Sequence, residues 1–460
     1  MSTSEYDSYR PPEPEGGRKK RRRGGRGGSG APGGPGSGRG GSGGWQNRGA
    51  DGGREMPMVE DVEFTSYYGR PIVKPPPWGH EISLYLFLGG LAGGSTLLGL
   101  GAQLSDRPGM RAATRLTAIG ATAIGGAALV KDLGRPERFI NMMRVVKVSS
   151  PMSLGTWILS GFGVGAGITS VIEVDRLTRE KLIPLGPFRK LLHALELPAA
   201  LESALFATPL AAYTAVLLGD TAVPTWNAAG RNGLPFVFVS SASLAAGGAA
   251  MALSPVREAE PARLLALMGS AGDMYAMSRM KKRMHPVEVE PMEDGEPGHK
   301  LHRAEKLLIA GAIGAAVVEV GARVFAKKLG SRAGDKALGA AKGAASGLAS
   351  SLVSGVAGLT SSNAAKGAAA SGAAGLAASG AATLAANKVG RSWKTRAVLR
   401  TLSIVSGTAL AAASAYTRFG VLEAGIESTK DPRHVIEPQR ARLAERRAQG
   451  ITDDSITTGW

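Results

Sequence analysis

Apolar positions in this chain gather into tracts of bilayer length, and charged positions gather between them. A spanning helix needs about 20 mainly apolar residues, because each residue rises 1.5 Å through a hydrocarbon core of about 30 Å. Eight tracts approach that length: 81–103, 112–130, 152–172, 191–218, 234–253, 262–277, 307–325 and 398–419. The sixth is short and holds Asp273, so it reads as a tilted span among others or as a half-buried segment. Backbone groups in lipid must be satisfied internally. The expected fold is therefore an all-α integral membrane protein of about eight transmembrane helices, arranged as two four-helix bundles behind a disordered N-terminal tail.

The polar stretches divide the rest. Residues 1–62 are rich in Arg, Gly, Pro and Ser, with little to bury, and read as a disordered basic tail. The membrane bundle then runs over 63–330, carrying seven of the tracts. Residues 331–392 are Ala, Gly and Ser with scattered Lys, which reads as an extramembrane insertion because large apolar anchors are few. The last span and a C-terminal segment fill 393–440, and 441–460 is a polar tail.

The formal charge of +18 owes much to GGRKKRRRGGRGG in the leader. Such a run could bind nucleic acid, but beside membrane spans its simpler role is to hold its end of the first span on the cytoplasmic side. No cleavable signal peptide is expected, since glycine and not a short apolar core follows the basic run. Eight spans put both termini on one face, expected to be the cytoplasmic face of the cell membrane.

Little in the sequence can hold a redox group. There is no cysteine to ligate an iron–sulfur cluster. Of six histidines, His285, His299, His302 and His434 lie in connectors or the tail, and His80 and His193 sit at span edges, so no facing pair suits a haem. No metal-ligand cluster or phosphate loop stands out, and GGLAGGS, inside the first span, reads as close helix packing. Carboxylates inside spans are costly, about 2.5 to 3.5 kcal/mol each on insertion scales. Glu196, Glu202, Asp273 and Glu319 are therefore candidates for proton transfer, with structural pairing to Arg as the competing reading. If they line a route, the chain could also be a transporter or ion-conducting protein.

Three stretches carry more information: SYYGRPIVKPPPWGHEISLYLFLGGLAGGS (66–95), LVKDLGRPERFINMMRVVKVSSPMSLGTWIL (129–159) and TRFGVLEAGIESTKDPRHVIEPQR (417–440). In the middle one, Gly134 and Pro136 should end a helix and Pro151 should start the next at its tolerated first turn. Together the three stretches resemble the NrfD/PsrC-type, polysulfide-reductase-like membrane subunits, in wording similar to actinobacterial versions that accompany formate-dehydrogenase-like enzymes.

The resemblance implies a subunit without a redox cofactor of its own that binds a quinone, here menaquinone, near one membrane face. It also implies two partners, a ferredoxin-like iron–sulfur subunit and a molybdenum or tungsten catalytic subunit. Carried onto this sequence, the quinone site falls on Trp78, His80, Glu81 and Tyr85 at the first span and on Asp132, Arg135 and Arg138 in the connector, with Trp157 as a neighbour. A quinone head needs hydrogen bonds at its carbonyls and a proton donor in reach, which His80, Tyr85, Glu81 and Asp132 can supply. Trp78 and Tyr85 could equally be belt aromatics, and the two arginines surface anchors.

Overall fold

The computed structural model describes residues 71–133, 136–182, 184, 186, 188–330 and 393–450. The Arg/Gly-rich tail, the Ala/Gly-rich stretch 331–392 and Arg135 lie outside them. The described residues form twelve α-helices and one 3-10 helix, with no strand among them.

Helix α1 (His80–Leu104) starts where the proline run 75–77 ends. A tight turn with Asp106 at φ 51° leads to α2 (Pro108–Asp132), and a 3-10 helix (Pro136–Met143) follows. Pro151 opens α3 (Pro151–Leu177) as predicted, where its missing N–H costs nothing, and the Ser150 hydroxyl accepts the Ser153 N–H.

The fourth predicted tract is not one helix. It breaks at Leu195 into α4 (Phe188–Ala194) and α5 (Glu196–Gly219). Pro198 falls in the first turn of α5, where no helical hydrogen bond is lost.

The stretch around Trp226, between the fourth and fifth apolar tracts, is a helix, α6 (Pro224–Asn232), and Gly233 at φ 114° joins it to α7 (Leu234–Leu253). Then come α8 (Glu260–Arg283), α9 (Pro286–Glu293), α10 (Gly295–Gly330), α11 (Trp393–Ser428) and α12 (Arg433–Ala448).

Seven of these, α1, α2, α3, α5, α7, α10 and α11, are long and apolar enough to cross a membrane. Helix α8, the expected sixth span, has the length but not the hydropathy, because its last turns read SRMKKR. It nonetheless packs along α7 and against α10.

Two groups of four emerge. Helices α1, α2, α3 and α5 pack together, as do α7, α8, α10 and α11, and the groups meet where α1 and α5 lie on α7. Small residues allow that approach: a Cβ at Gly93 would come within 2.7 Å of the Ala207 carbonyl oxygen, and Gly90 and Gly94 lie against Ala242 and Ala246. The GGLAGGS motif thus acts as a packing surface.

Successive long helices run antiparallel, so the start of α1, the end of α2, α6, α9 and the end of α11 share one face, called proximal here. The α1–α2 turn, α4 and the segments flanking 331–392 share the distal face.

Candidate functional site

At the proximal face the chain before α1 lies across the start of α6. The Trp78 ring stacks on Trp226 with centroids 5.3 Å apart and planes 20° from parallel. Trp226 is fully buried and its Nε1–H donates to the Val421 carbonyl of α11 at 2.8 Å. This pair ties the entry to the first helix to the last long one, and both indoles contribute apolar area as well as stacking.

His80, the first residue of α1, is open to solvent, its side chain 80% exposed. Its ring stacks on Phe419 at 6.1 Å and its Nδ1 faces Glu423 Oε1 at 3.9 Å. Lys300 of α10 donates to both oxygens of Glu423 at 2.6 Å and reaches Glu296 at 3.0 Å. On the other side of α1, Glu81 pairs with Lys131 of α2 at 3.0 Å, and the half-buried Asp132 lies near Glu81. An exposed imidazole, several carboxylates and two ammonium groups therefore share a rim beside stacked indoles. Such a rim can hydrogen-bond a carbonyl or hydroxyl and pass a proton.

The remaining sequence candidates for this face are dispersed. Tyr85 turns inward, where it is buried and its hydroxyl bonds that of Tyr213 from α5. Arg138 belongs to the 3-10 helix, and its side chain, like Arg135, lies outside the described residues. Trp157 donates its indole N–H to Val145 O at 3.4 Å and braces the connector, in which Ile140, Val145, Val146 and Val148 are exposed.

The four carboxylates proposed for proton transfer do not form one chain of contacts. Glu196 lies at the distal face in a buried cluster: Arg115 donates to Glu196 at 2.7 Å, to Glu173 at 3.0 Å and to Gln103 at 2.7 Å. Arg176 holds Glu196 with both terminal nitrogens, and Arg111 holds Glu173 at 2.9 Å. Glu202, six residues on from Glu196, lies instead beside Gly165 of α3. Glu319 is bound by Arg263 and, at 2.5 Å, by Arg323. Asp273 is buried, with Oδ1 unpartnered among the described residues.

A small cavity of about 10 Å³, lined by Thr96, Arg115, Thr169 and Ser203 among others, lies between the four helices of the first group. That is room for about one water, and the lining is polar enough to hold it.

Sequence reasoning missed the cations. Arg418 is completely buried, donating to Leu86 O at 3.0 Å and Phe238 O at 2.7 Å with its guanidinium 3.9 Å above the Phe238 ring. Arg115 sits within the second predicted tract. An arginine inside a span costs as much as a carboxylate, so both were visible as groups in need of acceptors. Lys300 and Glu423 carried no such signal, lying at helix ends where charge is ordinary. Among the described residues no group of His, Cys, Asp and Glu is placed to hold a metal ion.

Compared with known proteins, residues 72–266 match the family described as polysulphide reductase, NrfD. The match covers α1 through the start of α8, including Trp78, His80, Glu81, Lys131 and Asp132, and stops short of Lys300 and Glu423. No curated protein matches the chain.

Proposed function

Since the chain belongs over residues 72–266 to the NrfD family, making it a membrane subunit of a quinone-linked oxidoreductase, we propose that the proximal rim around His80 is where the quinone binds. The observation that supports this most is the company of His80: an exposed imidazole between Glu423 and the Glu81–Lys131 pair, beside the Trp78–Trp226 stack. A quinone head has two carbonyls and a flat ring; its reduced form has two hydroxyls. Imidazole can accept from a hydroxyl or, when protonated, donate to a carbonyl, and aromatic faces suit the ring.

In this reading His80 contacts the head group, Glu81 and Asp132 exchange protons with it, and Trp78 packs on the ring or its tail. Tyr85, buried on Tyr213, acts from below the rim, and Arg135 and Arg138 are candidate contacts from the connector. The quinone is menaquinone, and electrons pass to an iron–sulfur subunit and a molybdenum or tungsten enzyme of the formate-dehydrogenase or polysulfide-reductase kind. The chain sits in the cell membrane with the proximal face, and both termini, on the cytoplasmic side. Glu202 and Asp273 stay candidates for proton exchange, whereas Glu196 and Glu319, each held by two arginines, act as structural anions.

The test is purification of the intact complex from its native membrane, with identification of subunits and metals and assay of electron transfer to a menaquinone analogue. Co-purifying iron–sulfur and molybdenum or tungsten subunits, with quinone-linked turnover lost in His80→Ala, are the expected result. A lone metal-free bundle, or full turnover in that variant, overturns the assignment.

A further inference from the structure

We propose that Glu423, held in place by Lys300, is the positioning residue for the His80 imidazole, so that α10 and α11 complete a site whose other groups lie in the family-matched part of the chain. This rests on the quinone reading above. It adds two residues, from helices beyond residue 266, to which that match assigns nothing.

The argument starts from what surrounds the ring. Phe419 and Glu423 are four residues apart on α11, so they share one helix face, and both address His80: the first stacks at 6.1 Å and 24°, the second meets Nδ1 at 3.9 Å. A stack fixes the ring plane, and a charge at one edge fixes which nitrogen faces it. Glu423 is itself immobilised, because Lys300 donates to both its oxygens at 2.6 Å and both side chains are about four-fifths shielded, at 19% and 18% exposure. The 80% exposed imidazole is thus oriented by a pair that is itself largely shielded.

The chemical consequence concerns Nε2, which has no partner among the described residues. With the Nδ1 proton directed at Glu423, Nε2 keeps its lone pair and suits the hydroxyl of a hydroquinone. With the ring protonated, Nε2–H suits a quinone carbonyl. Glu81 and Glu296 also act on His80 electrostatically, but neither is paired with an aromatic neighbour that stacks on the ring. An ordinary rim ion pair would need only Lys300 and Glu423. The Phe419 stack on the same helix face is what directs the pair at His80.

The experiment compares Glu423→Gln, Glu423→Asp and His80→Gln in the intact complex, reading kcat and KM for a menaquinol analogue together with subunit content and melting temperature. The expected result is a fall in kcat on the order of tenfold for Glu423→Gln, as for other partners that orient a functional imidazole. KM should be nearly unchanged, and Glu423→Asp should recover most of the rate. Wild-type kcat in Glu423→Gln beside an inactive His80→Gln overturns the positioning role and leaves the quinone reading standing. Wild-type kcat in His80→Gln overturns the reading itself. A loss of subunits in Glu423→Gln that Glu423→Asp does not reverse makes the residue structural and also overturns the proposal.

Discussion

The two faces of the bundle use the same residue types in opposite ways. At the distal face Arg115 serves Glu173, Glu196 and Gln103 while Arg176 and Arg111 close the cluster, all within a few ångströms and mostly out of solvent. At the proximal face Glu81 has one lysine, itself 75% exposed, and His80 has a carboxylate at 3.9 Å and open solvent. Charges held this way are locked: a carboxylate clamped between two guanidiniums is committed to them. Charges that are only partly engaged, beside an aromatic surface, can still exchange partners. Burial alone is therefore a poor guide to chemistry in this molecule, and spare hydrogen-bonding capacity is the better one.

This contrast can be broken most severely at Arg115. Arg115→Met leaves Glu173 and Glu196 short of a partner in the interior, and breaking a buried pair costs about 3 to 5 kcal/mol; the expected outcome is little folded protein in membrane extracts. Removing Arg418 acts at the core between the faces. Arg418→Met strips two carbonyls of a donor and leaves Asp273 without its nearby cation, which should cost about 2 kcal/mol and lower the melting temperature without abolishing assembly. Tyr213→Phe leaves the Tyr85 hydroxyl unpaired, a loss of about 1 kcal/mol by the same measurement. The smallest stability effect belongs to the rim: Lys131→Ala removes a mostly exposed pair that salt already weakens, and the melting temperature should barely move. Its effect should appear in quinol turnover instead, and unchanged turnover would show that the Glu81 side of the rim takes no part.

The sequence was legible wherever a property is carried by consecutive residues. Apolar tracts of bilayer length located seven spans, and Pro151 marked the start of α3. Helix α8 shows the limit, since its length survived but its basic end diluted the hydropathy. What consecutive residues do not carry is pairing. Arg115 meets Glu196 across 81 positions and His80 meets Glu423 across the whole bundle, so neither contact has a local signature. Weighing carboxylates but not arginines within spans left half of each buried pair unread. The break before Glu196 was missed for a related reason: the Arg176 and Arg115 contacts that hold that residue at a helix start are tertiary.

Helix α11 joins the two regimes. Arg418 is pinned in the core by two carbonyls, and Glu423 follows five residues later at the rim. At 1.5 Å per residue that is about 7.5 Å of rigid helix. The helix works as a ruler with its zero fixed in the interior. Adding or deleting one residue between the two marks would rotate the carboxylate by about 100°, away from the imidazole it faces, and would turn the core-packed Ala424 and Gly425 with it.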